Sequence, residues 1–321
     1  MRLTLFAVAF LISNALSAQP FPSKPLRWIV PFPPGGPADT FSRAAAQKLA
    51  ATLQQPVVVE NRAGAGASIG MDALAKSPPD GYTIGLSTTG SHAINPHLYS
   101  KLPYDPIRDF APITLGISYV NVLVVNPALP IQTGTDLVAY AKANPGKVSF
   151  GSAGNGSCNH LFGELLKSLT GAPMQHVPYK GSAAALTDVI SGNLTFMFDI
   201  LNVSGPQIRA GRVRGIAVAS AKRTPYFPEL PTLSESGIRG FDEAGSDLWF
   251  GIMAPGGTPK PIVAKLNEAL VSSLRSPDMR ERIRAQSLDL WTSTPEEFAA
   301  VLKADLARWG KVVRASGARI D

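Results

Sequence analysis

The stretch Leu26-Arg27-Trp28-Ile29-Val30-Pro31-Phe32-Pro33-Pro34-Gly35-Gly36-Pro37-Ala38-Asp39-Thr40 passes from an apolar segment through a proline- and glycine-rich turn. An alanine-rich segment follows, with Ala44, Ala45, Ala46, Leu49 and Leu53. Residues 26–30 read as a strand and residues 41–53 as a helix. A turn of this kind leaves backbone N–H groups unpaired at the helix start, where the helix dipole also favours negative charge.

The same strand–turn–helix unit recurs outward along the chain. Residues 56–60, 82–87, 120–125, 147–150, 196–199 and 214–219 read as strands. Residues 71–76, 136–143, 161–169 and 186–191 read as helices. Such alternation predicts an α/β fold of open, mostly parallel sheets flanked by helices. The last third is more helical. Thr258-Pro259 reads as a capped helix start, followed by a stripe of Ile262, Leu266, Leu270 and Leu274. Thr294-Pro295-Glu296-Glu297 is a capping box, with Phe298, Leu302, Leu306, Trp309 and Val313 as the core face behind it.

Composition narrows the class. Of 321 residues, 45% are hydrophobic and 17% charged, below the ~25% charged of ordinary soluble domains. That excludes a disordered polyelectrolyte. At ~100–200 residues per domain, the length suggests two domains. The formal charge of +7 invites a nucleic-acid reading. The basic residues are scattered, however, and the densest group, from Arg209 to Arg223, lacks an aromatic platform, so no nucleic-acid partner is expected. One cysteine, Cys158, rules out an internal disulfide framework. The four histidines, His92, His97, His160 and His176, have no metal-ligand spacing. No metal or cofactor is expected. Met1-Arg2, the apolar run at 3–12 and the small residues up to Ala18 read as a secretory signal peptide at 1–18, cleaved near Ser17 or Ala18.

Two further turns resemble the first in chemistry: Ser87-Thr88-Thr89-Gly90-Ser91-His92 and Gly151-Ser152-Ala153-Gly154-Asn155-Gly156-Ser157. None of the three contains Arg or Lys, which favours amide and hydroxyl donors for a small anion such as a carboxylate. Asp199 follows an apolar run and falls at a strand's C-terminal end, where open α/β sheets bind ligands. An enzyme alternative exists in Gly66-Ala67-Ser68-Ile69-Gly70, a literal G-x-S-x-G that would make the chain a secreted serine hydrolase using Ser68. The loop at 61–65 makes the approach to Ser68 too long for a sharp nucleophile elbow, so no catalytic residue is assigned.

Together these segments resemble the Bug receptors, the periplasmic solute-binding proteins of tripartite tricarboxylate transporters. The likeness is carried by Val30-Pro31-Phe32-Pro33-Pro34-Gly35-Gly36 with Asp39, by Val59-Glu60-Asn61-Arg62-Ala63-Gly64-Ala65-Gly66, and by Pro79-Asp80-Gly81-Tyr82-Thr83. It continues through the 151–157 turn with His160, Val177-Pro178-Tyr179-Lys180-Gly181, Pro231-Thr232-Leu233-Ser234-Glu235-Ser236-Gly237 and Ala254-Pro255-Gly256-Gly257-Thr258-Pro259. The resemblance implies a two-lobed periplasmic-binding-protein fold of type II kind. Residues 19–120 plus 245–321 would form one lobe and 121–244 the other. It also implies a monomeric, exported receptor that passes a small carboxylate (a di- or tricarboxylate, amino acid or aromatic acid) to a membrane permease. Carried onto this chain, Phe32, Pro33, Pro34, Gly35, Gly36 and Asp39 would clamp the ligand from the first lobe, aided by Thr88, Thr89 and Ser91. Ser152, Gly154, Gly156, Ser157, His160 and Asp199 would face it from the second.

Overall fold

A computed structural model describes residues 21–241 and 248–320. The expected leader and part of the expected return crossing, at 245–247, lie outside the described residues. The chain begins with β1 (Leu26–Val30), α1 (Pro37–Leu53), β2 (Val57–Asn61), α2 (Ser68–Ala75) and β3 (Thr83–Thr88). A π-helical turn at Gly90–Ile94 then leads into α3 (Asn95–Leu98) and β4 (Phe110–Tyr119). Next come β5 (Asn121–Val125), α4 (Gly134–Ala143), β6 (Ser149–Ser152), α5 (Cys158–Thr170) and β7 (Gln175–Pro178). They are followed by α6 (Ser182–Ser191), β8 (Phe196–Ile200), α7 (Leu201–Arg209) and β9 (Arg214–Val218). The C-terminal part holds β10 (Leu248–Pro255), α8 (Lys260–Leu274), α9 (Pro277–Ala285), β11 (Asp289–Leu290) and α10 (Pro295–Ser316).

Two sheets result, ordered β11-β4-β10-β3-β1-β2 and β7-β6-β8-β5-β9. Each belongs to one lobe. Val120 alone separates β4, in the first sheet, from β5, in the second. The sheets are mixed, which corrects the mostly parallel expectation. β1, β2 and β3 pair in parallel, as do β6, β7 and β8, but β10 runs antiparallel to β3 and β4, and β5 antiparallel to β8 and β9. The reason is topological. Strands β1 to β4 and β6 to β9 run toward the junction between the sheets, whereas β5 and β10 enter their sheets from it and must run away, and the short β11 runs in the same direction as β10.

Local chemistry explains how these helices start. Extended Gly36 caps α1, Pro37 occupies its first turn, and Phe41, Ala44, Ala45 and Leu49 form its buried stripe. α10 starts with the complete capping box of Thr294 and Glu297 and buries Phe298, Leu302, Trp309 and Val313. Leu306, expected on the same face, is half-buried. Thr258 does not cap α8. Pro259 holds the cap position, and the Thr258 hydroxyl donates instead to the Pro255 carbonyl, 2.8 Å away.

The lobes share core as well as chain. Trp309 of α10 packs against Phe162 of α5 with ring centroids 5.9 Å apart, and Ser168 donates to the Ala315 carbonyl at 2.7 Å. The C-terminal helix thus leans on the second lobe. Among the described residues no helix is long and apolar enough to cross a membrane.

Candidate functional site

The C-terminal ends of β1, β2, β3, β4, β6, β7 and β8 all open onto one cavity of about 290 Å³ between the sheets. Ligands in open α/β sheets bind in this position, at the carboxyl ends of the strands. Phe32, Pro33, Pro34, Gly36, Pro37 and Ala38 line it from the β1–α1 turn, with Gly66, Thr88 and Gly90 beside them. Gly156, Ser157, Cys158 and Asn159 face it from the start of α5, and Lys180 to Ala184 from the start of α6. Tyr119, Asn121, Ile200 and Phe250 complete the wall.

Three helices therefore direct their N-termini at one space. Those of α1 and α5 were expected. The third, α6, has Gly181 at its cap position with no side chain bonded to its N–H groups, and Ser182, Ala183 and Ala184 all reach the cavity. Sequence reasoning missed this turn as a site. Its signal was present in Lys180-Gly181-Ser182-Ala183-Ala184, a glycine between a cation and small residues at a helix start. Lys180 also changes the picture of an anion met by neutral donors alone, since it places a cation in the wall.

Of the residues singled out in sequence, Phe32, Pro33, Pro34, Gly36, Thr88, Gly156 and Ser157 line the cavity. The others lie behind it and hold the turns. Asp39 is buried and accepts from Gly35 N at 2.9 Å, Arg43 Nε at 3.0 Å and Asn61 Nδ2 at 2.8 Å. Burial opposes its ionisation, but these donors outweigh burial and hold the carboxyl below its ordinary range. Ser91 Oγ accepts from Thr88 N at 3.0 Å, while Thr89 Oγ1 accepts from Trp249 N at 2.9 Å and ties β3 to β10.

The second lobe repeats the pattern. Ser152 Oγ accepts from Gly154 N at 3.1 Å and lies 2.7 Å from His176 Nε2. Which of the two donates follows the imidazole tautomer. His160 Nδ1 accepts from Gly156 N at 3.3 Å, and its ring stacks on His176 at 4.1 Å. Burial, with Lys167 nearby, pushes His160 down to about 4; burial, with His160 and Lys167, pushes His176 to about 3. Gly154, at φ +121°, accepts the Ser157 hydroxyl at 2.7 Å. Asp199 is fully buried on β8 and accepts from Ser204 Oγ at 2.6 Å. Burial raises it to about 7 against the opposing hydrogen bonds.

The two lobes touch around the cavity. Tyr99 donates to the Asn155 carbonyl at 3.2 Å. Gly66 and Gly156 sit where a Cβ would overlap the Asn155 carbonyl and the Asn95 side chain, respectively. Ser68 is not on a nucleophile elbow. A short 3₁₀ turn at Ala65–Ala67 separates it from β2, it is buried, and Asn95 Nδ2 approaches it at 3.4 Å. No histidine hydrogen-bonds to it among the described residues.

Residues 41–318 match the model of the tripartite tricarboxylate transporter family receptor. The chain is 38% identical over 310 residues to Protein BugT of Bordetella pertussis, covering 96% of this chain and 94% of that protein. The periplasmic binding protein BugD superposes with a TM-score of 0.87 at 35% identity, over 93% of this chain and 99% of its own. R. palustris Rpa4515, solved with adipate, superposes with the same TM-score of 0.87 at 36% identity, over 94% and 100%. The chain belongs to the tripartite tricarboxylate transporter receptor family.

Proposed function

We propose that this protein is an exported receptor that captures a small carboxylate between its lobes and delivers it to the membrane permease of a tripartite tricarboxylate transporter. The convergence of three helix N-termini and Lys180 on one cavity between the lobes carries the reading. Backbone N–H groups at helix starts suit a carboxylate, and such charge-assisted bonds strengthen once closure excludes water. The adipate held by Rpa4515 is a carboxylate of fitting chemistry. The action is binding without bond-making: one lobe takes the anion, the lobes rotate about the β4–β5 link and the return strand, and the second lobe completes the shell.

On this reading residues 19–120 and 245–321 form one lobe and 121–244 the other. The leader at 1–18 is removed on export to the periplasm, where the receptor works as a monomer. Phe32, Pro34, Gly36, Thr88, Gly156 and Ser157 touch the ligand, joined by Lys180 and Ser182. Gly35, Asp39, Thr89, Ser91, Ser152, Gly154, His160 and Asp199 shape the turns that present those contacts. A thermal-shift screen of mono-, di- and tricarboxylates, amino acids and aromatic acids tests the reading. A true ligand at ~100 times its Kd stabilises the fold by about 2.7 kcal/mol. Absence of any shift across all carboxylates would overturn it.

A further inference from the structure

We infer that the open groove between α9, β11 and the segment after β9 receives an extended, acidic segment of a partner protein, whose carboxylates lie against Arg280 and Arg284. On the receptor reading, which this inference deepens, that partner is the permease.

The groove encloses about 740 Å³ and shares no lining residue with the ligand cavity. Its walls come from both halves of the molecule. Pro225 and Tyr226 follow β9 of one sheet, whereas Arg280, Ile283, Arg284 and Leu290 belong to α9 and β11, and β11 is the edge strand of the other sheet. The Tyr226 hydroxyl spans the two, 2.9 Å from the Leu288 carbonyl and 2.8 Å from Asp289 Oδ1. An occupant of this groove therefore touches both lobes at once.

Charge is lopsided here. Three exposed arginines, Arg275, Arg280 and Arg284, line the groove against one carboxylate, Asp289, which already faces Tyr226. Among the described residues no carboxylate lies within 4.0 Å of any of the three guanidinium groups. The protein nonetheless holds two of them in place. Arg275 Nε donates to Thr292 Oγ1 and Arg280 Nε to the Arg275 carbonyl, each at 2.9 Å. Their terminal N–H groups are left for an acceptor from outside, and a guanidinium fork suits a carboxylate.

Spacing selects an extended chain. Arg280 and Arg284 are four residues apart on α9, so they share a face and stand about 6 Å apart along it. Alternate side chains of a strand repeat at about 6.8 Å, so Asp or Glu at every second position meets both arginines. The lining also includes Pro225, Leu290 and Trp291, which suit apolar residues between the acids. A single small anion cannot meet cations strung along a helix and cover these apolar groups as well.

A random heptapeptide phage library panned on the immobilised mature receptor tests this, with enriched sequences remade as fluorescein-labelled peptides and titrated by anisotropy. Enriched peptides are expected to carry Asp or Glu two residues apart. Arg284→Glu should weaken their binding at least about tenfold through like-charge repulsion. Arg284→Gln, which only removes the charge, should show a smaller loss. Lys147→Glu makes the same charge change at an exposed position outside the groove. It should bind within about threefold of the parent, because solvent and salt screen a distant charge. Parent-like melting curves establish that each variant folds. No enrichment over the bare surface, enriched peptides without acids, or equal losses in Arg284→Glu and Lys147→Glu would overturn the inference and leave the receptor reading standing. So would binding to phosphatidylglycerol vesicles that falls in Arg284→Glu while no peptide is enriched, since the face would then meet a membrane surface. Acidic peptides that bind as expected while no carboxylate shifts the melting temperature would remove the receptor reading alone.

Discussion

Asp39 shows why residues can be legible in sequence while their task is not. The sequence marks it as a polar group inside a glycine-rich turn beside the ligand space. The fold turns its carboxylate inward onto Gly35, Arg43 and Asn61, because a buried turn must satisfy its own donors before it offers any to a ligand. Ser91, Ser152 and His160 follow the same rule. Sequence can therefore name such a turn, but which of its atoms face outward depends on partners distant in the chain. The histidines give this a measurable form. His92, His160 and His176 are all pushed below their usual 6.5 by burial, to about 3, 4 and 3. Below pH ~6.5 the unfolded chain takes up protons that the folded one refuses, so their contribution is full above that pH and falls as pH drops toward the folded values. Urea denaturation should show stability declining between about pH 6.5 and 5, and His160→Gln should remove about one proton from that slope. An unchanged slope would contradict the neutral, buried state of His160.

Among the elements, β1, α1 and α10 were plain in sequence because each carries its own periodicity and its own end signals. The two longest strands were not. β4 contains Pro112 and Gly116, β10 contains Gly251 and ends in Pro255, and β10 is buried along its whole length. With neither alternation nor clean ends, such strands have no local signature, and pairing with each other and with β3 holds them in place. α6 is legible as a helix, yet its role comes from where β7 leaves it. Ala183 in its first turn is exposed and lines the cavity, so Ala183→Asp places a negative charge there. An acid at that position favours the helix by about 0.3–1 kcal/mol but opposes an incoming carboxylate. Melting temperature should hold or rise while affinity for the screened carboxylate falls at least about tenfold by Coulomb repulsion. Ala183→Asn should stay near the parent. Equal affinities in both variants would place the anion elsewhere.

In the whole molecule, the lobes are joined by the single-residue β4–β5 link, by the return to β10, and by α10 leaning on α5. The resemblance to known receptors made the lobes readable, whereas the α10 contact arises from Trp309 and Phe162, which sit 147 positions apart in sequence and meet only in the fold. Closure depends on tight approach elsewhere. Gly66 carries φ +57° and leaves no room for a Cβ beside the Asn155 carbonyl of the other lobe. Gly66→Ala should hold the lobes apart, raising the radius of gyration in small-angle scattering even with ligand present and lowering affinity. Gly146→Ala, at φ +79° in open space, imposes similar backbone strain without touching the seam and should scatter like the parent. A Gly66→Ala protein that closes normally would contradict the contact.

Cys158 is the chain's single thiol, and it stands at the start of α5 inside the cavity wall, buried and pushed up to about 12. Burial is the main cause. A thiol in this wall is expected to react with maleimides faster when the lobes part than when they are together. Maleimide labelling of Cys158 should therefore report on opening, and a bound guest should slow it.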